Sequence, residues 1–278
     1  MKPCFNESTT MRKGCLENDI PMCAKYGFEY MEIREDKLLD FLKRHTLSDL
    51  KQLLSEYKIT PTTLNAVHEI SFRDHEGWLQ TKELCEFLFY AGREISCHDL
   101  EVVPSQNIFG KSREEINEET ARSLTLLSDI AKHYNARLSF EFIGFNNFSV
   151  NTFNQSLEII EMVNRDNVGI LLDTFHFYAM GGHPKDILKA KGSQIFDVHF
   201  GDCFRRAPGE AIRADRIWPG DGDVPLIDIL CNLQSIGYDG VVAVEMFRPE
   251  IWDLPYEEGF SIAKEKTVNL MRAANVLT

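Results

Sequence analysis

Short runs rich in β-branched and aromatic residues recur along the chain, separated by longer stretches in which apolar residues return every three or four positions. The first pattern suits strands covered on both faces, the second amphipathic helices. Eight runs carry the strand pattern: Pro3–Glu7, Phe28–Arg34, Thr60–Val67, His98–Pro104, Leu138–Ile143, Val168–Thr174, Ile195–Phe200 and Gly240–Phe247. Their alternation with helical stretches predicts parallel β/α units, and 278 residues over eight units gives about 35 each, the size a (β/α)8 barrel requires. Residues 1–278 are therefore read as one α/β domain, a single (β/α)8 TIM barrel.

The helical stretches carry recognisable end signals. Ser112-Arg113-Glu114-Glu115 reads as a capping box, after which Leu124, Leu127, Ile130 and Ala131 share a helical face. Phe153 to Val163 repeats the pattern with Leu157, Ile160 and Val163, and Asn164-Arg165-Asp166-Asn167 supplies a polar turn before the next strand. The longest interval between strands, Gly201 to Asp239, contains Arg205, Arg206, Pro208, Gly209 and then Trp218-Pro219-Gly220-Asp221-Gly222. It reads as a long active-site loop ahead of the last helix. After the first strand, Asn6-Glu7-Ser8-Thr9-Thr10 stands where a doubly wound nucleotide-binding sheet would carry a glycine-rich phosphate loop, which argues against a nucleotide cofactor.

Composition narrows the classes further. With 44% hydrophobic and 26% charged residues the chain can bury a sizeable core. A net charge of −13 disfavours a nucleic-acid partner, because a duplex-binding surface must neutralise phosphates. No apolar run approaches the ~20 residues of a membrane helix, and Met1 to Glu7 lacks the apolar stretch of a signal peptide, so a cytoplasmic protein without a membrane partner is expected. The seven cysteines are scattered with no C-x-x-C pair, which points to reduced, mostly buried thiols rather than disulfides or a cysteine zinc site.

The candidate chemistry lies where four apolar runs are interrupted by an ionisable residue: Glu141 in Leu-Ser-Phe-Glu-Phe, Asp173 in Gly-Ile-Leu-Leu-Asp, His199 in Ile-Phe-Asp-Val-His and Glu245 in Val-Val-Ala-Val-Glu. Any one of them could be a cap or half of a salt bridge. Four consecutive strands behaving alike at the carboxyl ends, where barrel sites form, favour a shared purpose. Burying even one unpaired carboxylate costs several kcal/mol, so three carboxylates converging on an imidazole need a compensating cation. Mixed oxygen and nitrogen donors suit one divalent metal ion, Mn2+, Co2+, Zn2+ or Mg2+. His176, three residues after Asp173, and Arg205, six after His199, are placed to bind the oxygens of a polyol or ketose substrate.

In these features the sequence resembles the xylose-isomerase-like barrel superfamily, whose members include sugar isomerases, ketose 3-epimerases, inosose isomerases and dehydratases, and endonuclease IV. It is most similar to inosose (2-keto-myo-inositol) isomerases of bacterial inositol catabolism, through Cys4-Phe5-Asn6-Glu7, Glu32-Ile33-Arg34, Val150-Asn151-Thr152-Phe153, Asn164 to Gly169, Asp173-Thr174-Phe175-His176-Phe177, Asp215 to Gly220 and Phe247-Arg248-Pro249-Glu250. The resemblance spans nearly the whole chain. It implies that Glu141, Asp173, His199 and Glu245 bind one metal, that Glu141 and Glu245 transfer protons, and that His176 and Arg205 bind substrate oxygens.

The implied chemistry is isomerisation of a keto-polyol: chelation of a carbonyl and its neighbouring hydroxyl acidifies the C–H between them and stabilises an enediolate. A dehydratase or a ketose 3-epimerase would use the same ligands, and a sugar-binding protein without catalysis would not need both glutamates. A nuclease of this superfamily would need an Asp-x-His in the loop before the last strand, where this chain has Asp215-Arg216-Ile217, and Ile217 cannot ligate a metal.

Overall fold

The computed structural model describes residues 1–278. Eight parallel strands, β1 (Lys2–Asn6), β2 (Tyr30–Arg34), β3 (Thr60–Val67), β4 (Asp99–Val102), β5 (Arg137–Glu141), β6 (Val168–Asp173), β7 (Ile195–Phe200) and β8 (Val241–Val244), close into a barrel in sequence order. All eight expected runs are strands, most of them shortened at their ends. β1 stops at Asn6 because its side chain accepts from Ser8 N at 2.8 Å and turns Glu7–Thr10 into a short 3-10 helix.

Around the barrel run α1 (Leu16–Lys25), α2 (Glu35–Leu42), α3 (Leu47–Tyr57), α4 (His75–Ile95), α5 (Arg113–Lys132), α6 (Phe153–Val163), α7 (Thr174–Ala179), α8 (Leu226–Ser235), α9 (Pro249–Trp252) and α10 (Tyr256–Ala273). The capping box at α5 forms: Glu115 N donates to Ser112 Oγ at 3.1 Å and Ser112 N to Glu115 Oε2 at 2.8 Å. The long loop after β7 leads into α8. That is not the last helix, since α9 and α10 follow β8 and α10 covers β1 at the barrel seam. No helix is long and apolar enough to cross a membrane, and all seven cysteines are free, five of them buried.

Strand alternation divides the interior into two zones of opposite character. One set of positions, including Phe5, Ile33, Leu100, Phe140, Leu172, Val198, Phe200 and Val244, belongs to a core of 66 buried residues beneath the helices. At about 1.5–3 kcal/mol for each large side chain fully buried, this outer layer carries most of the hydrophobic stabilisation. The alternate positions face the lumen. There the register places Asn6 beside Glu32, Thr63 beside Asp99, Glu101 beside Ser139, and Asp173 beside His199. Because the outer layer sustains the fold, the lumen is free to hold polar groups.

Candidate metal and substrate site

Glu141 is the last residue of β5, Asp173 the last of β6, His199 the penultimate of β7, and Glu245 follows β8 directly. Parallel strands bring these ends to one mouth of the barrel, and one ligand atom from each residue lies within 4.8 Å of the others. His199 Nδ1 is 3.3 Å from both Glu141 Oε1 and Glu245 Oε2, and 4.0 Å from Asp173 Oδ2. All four residues are buried, Glu141 being the most exposed at 4%.

The electrostatics of this group call for a cation. Burial pushes the Glu141 carboxyl up to about 7 despite the attraction of His199. Burial would lower His199, but the charges of Glu245 and Glu32 outweigh it and hold the imidazole well above its ordinary range. In the absence of another cation, then, a proton on His199 offsets part of the negative charge. Glu141 Oε1 and His199 Nδ1 are buried without a hydrogen-bond partner although they face one another. Three carboxylates and an imidazole converging with unpartnered atoms fit one divalent metal ion.

A second cation is built into the site from the long loop. Arg216, only 1% exposed, sets its NH1 2.7 Å from Asp173 Oδ2 and 3.4 Å from Glu245 Oε2, and donates to the Glu245 carbonyl at 3.3 Å. Its guanidinium stacks on Phe175 at 4.7 Å. Burial would raise Glu245, but His199 and then Arg216 hold it below the usual carboxylate range. Two local devices deliver Arg216. The backbones of Asp202 and Ile217 pair through hydrogen bonds of 3.0 and 2.8 Å, and the Asp202 carboxylate accepts from the N–H groups of Cys203, Gly220, Gly222 and Val224. Gly201 leaves room: a Cβ there would lie 3.1 Å from Arg216 NH1.

On the far side of the imidazole, His199 Nε2 is 2.9 Å from Glu32 Oε2, which also accepts from Asn6 Nδ2 at 2.6 Å. Asn6 bridges onward to Glu245 Oε1 at 3.2 Å. A carboxylate on one imidazole nitrogen orients the other toward a metal and raises its basicity. Glu101 Oε2 lies 3.8 Å from the same Nε2, and burial and Glu141 push its carboxyl well above the ordinary range.

His176 stands at the edge of the cluster. Its backbone N–H donates to Asp173 Oδ1 at 2.8 Å, and its buried Nδ1 has no partner. Burial pushes its imidazole down to about 3, so the ring is neutral at pH 7. Gly144 lets the loop after β5 lie against this residue, since a Cβ there would overlap the His176 carbonyl. Arg205 is not brought to the four: its Nε donates to Tyr178 Oη at 3.3 Å and its guanidinium makes no ion pair with them. Burial pushes the Cys203 thiol up to about 12, which makes it a poor nucleophile. Asp197, deeper in the lumen, accepts from Thr63 Oγ1 at 2.6 Å.

Glu32 and Glu101 carry the signal that revealed Glu141, an ionisable residue inside an apolar strand, and extending that test to β2 and β4 finds them. Asn6 and Arg216 bear no such mark. Asn6 sits at an ordinary strand end, and Arg216 is one of four arginines from Arg205 to Arg216.

A closed eight-stranded barrel with side chains at its carboxyl end that could hold a metal ion defines a class, and residues 20–266 match the family described as xylose isomerase-like TIM barrel. The chain belongs to that family. It is 40% identical over 280 residues to an inosose isomerase of Bacillus subtilis, covering 98% of both chains. An inosose isomerase of Halalkalibacterium halodurans is 39% identical over 272 residues, which are 98% of this chain and 96% of that one. Among solved structures, the IolI protein with a bound zinc atom superposes with a TM-score of 0.95 at 38% identity, covering 99% of each chain.

Proposed function

We propose that this protein is a divalent-metal-dependent isomerase of inososes, converting 2-keto-myo-inositol to a 1-keto-chiro-inositol type isomer. One observation carries the reading: two glutamates, one ending β5 and one directly after β8, both approach the same His199 Nδ1 at 3.3 Å within one buried group. The similarity to inosose isomerases over nearly the full chain supplies the substrate class.

Glu141, Asp173, His199 and Glu245 would hold the metal ion. Once bound, it supplies Lewis acidity at the substrate carbonyl and adjacent hydroxyl, which acidifies the intervening C–H. Glu245, held ionised by Arg216 at 3.4 Å, removes that proton from carbon. Glu141 relays a proton from solvent to the former carbonyl carbon while the hydroxyl proton passes to the former carbonyl oxygen, so carbon and oxygen each exchange one proton. Neutral His176 holds a substrate oxygen from the buried side. Arg205, on the loop after β7 with no carboxylate partner for its guanidinium, would have to leave Tyr178 and turn toward the four groups to bind another.

Proton NMR of the metal-loaded protein with 2-keto-myo-inositol in D2O, beside an EDTA-treated control, tests the reading. The expected result is metal-dependent conversion to an isomeric inosose carrying solvent deuterium. A metal-dependent dehydrated diketone, or epimerisation confined to free ketohexoses, would overturn it.

A further inference from the structure

Beside the metal ligands, the loops after β3, β4 and β5 and the long loop after β7 enclose a cavity of about 620 Å³. Its lining includes His68, Phe145, Phe148 and Arg213. Two contacts tie this cavity to the site. The Phe145 ring meets the His176 imidazole edge-on at 5.1 Å, and the Arg213 guanidinium lies 4.8 Å over the ring of Phe247, two residues beyond Glu245.

Arg213 differs from Arg206 and Arg216 on the same loop. Arg206 is paired with Asp215 at 2.5 Å and Arg216 with Asp173 at 2.7 Å, whereas no carboxylate lies within ion-pair distance of Arg213. Arg73, another cavity residue, is committed to Glu69 at 3.1 Å. The exposed Arg213 guanidinium therefore keeps its donors available. Burial, then the charges of Arg213 and Arg34, hold His68 below the ordinary imidazole range, so its neutral ring can both donate and accept. Phe145 and Phe148 offer apolar faces to the C–H side of a ring. The glutamates Glu35 and Glu69 also line the cavity, so its charge is balanced and suits a neutral ligand better than a phosphate ester.

We propose that Arg213 and His68 are specificity-determining residues that bind the ring hydroxyls of a neutral cyclic keto-polyol in this cavity, while its carbonyl end reaches the metal ligands. The inference rests on the isomerase reading and adds the groups that choose the substrate. Neither residue meets the reacting carbons, so their contacts persist from ground state to transition state and act on KM.

The test is steady-state kinetics of the metal-loaded wild type, Arg213→Ala, Arg213→Lys and His68→Ala on 2-keto-myo-inositol, with circular dichroism of each. A hydrogen bond from a charged donor corresponds to about ten- to a hundred-fold in binding. Arg213→Ala is expected to raise KM by that factor with kcat within about threefold, Arg213→Lys to recover part of the loss, and His68→Ala to raise KM about tenfold. If KM stays within about twofold of wild type in Arg213→Ala and His68→Ala, or if kcat falls alone, the inference is overturned while the isomerase reading stands. A wild type that leaves 2-keto-myo-inositol unchanged defeats both.

Discussion

Arg216 NH1 and Asp173 Oδ2 are 2.7 Å apart with both side chains almost wholly excluded from solvent. A buried pair of this kind contributes little net stability against an apolar replacement, but removing one partner leaves an uncompensated charge. Here the loss would be compounded, because Arg216 also faces Glu245. Arg216→Met is expected to cost about 3–5 kcal/mol in the metal-free protein. Chemical denaturation with and without a divalent ion checks this: the deficit should be larger with the ion absent.

Glu141→Gln and Glu245→Gln each keep the shape of the side chain and remove its capacity to transfer protons. Each is expected to lower kcat by at least about a hundredfold with a wild-type circular dichroism spectrum. Normal turnover in either variant removes that residue from the proposed chemistry.

Metal affinity should rise with pH. Binding requires ionised Glu141 and a neutral His199 Nδ1, yet burial lifts the first to about 7 and neighbouring carboxylates hold the second well above its ordinary range. Protons must leave both as the ion enters, so affinity weakens as pH falls. Calorimetric titration in buffers of different ionisation enthalpy should show proton release near pH 7, and its absence would contradict the assignment.

The same groups set the stability of the metal-free protein. The folded pKa of Glu141, about 7, exceeds its unfolded value of 4.5, so its stabilising contribution is complete below pH 4.5 and is lost as pH rises through 7. Glu101 shifts in the same direction. The increase in Tm on adding a divalent ion is therefore expected to grow between about pH 5 and about pH 8. A constant increase across that range would show that these carboxylates do not give up protons to the ion.

Glu32 should act chiefly through His199. Its carboxylate orients the imidazole from the Nε2 side at 2.9 Å without being one of the four converging groups. Glu32→Gln is expected to weaken metal binding by about ten- to a hundred-fold while leaving the fold intact, read by competition with a chelating dye.

What the sequence determined by itself were the features that repeat with strand and helix period. Eight apolar runs at even spacing specify the barrel, because each must be covered on both faces, and the capping box at Ser112 and the face of Leu157, Ile160 and Val163 were legible for the same reason. The four strand-end residues stood out because an ionisable group in an apolar strand is costly unless it has a purpose. Tertiary structure alone decided what surrounds them. Whether Glu32 and Glu101 meet the His199 ring depends on how strands β2, β4 and β7 face one another across the lumen. Whether Arg205, Arg213 or Arg216 enters the site depends on the path of one loop, fixed by backbone pairing of Asp202 with Ile217 and by the Asp202 carboxylate. Hydrophobic periodicity is a local property readable along the chain, whereas convergence of charges is a property of closure, which exists only once the barrel has formed.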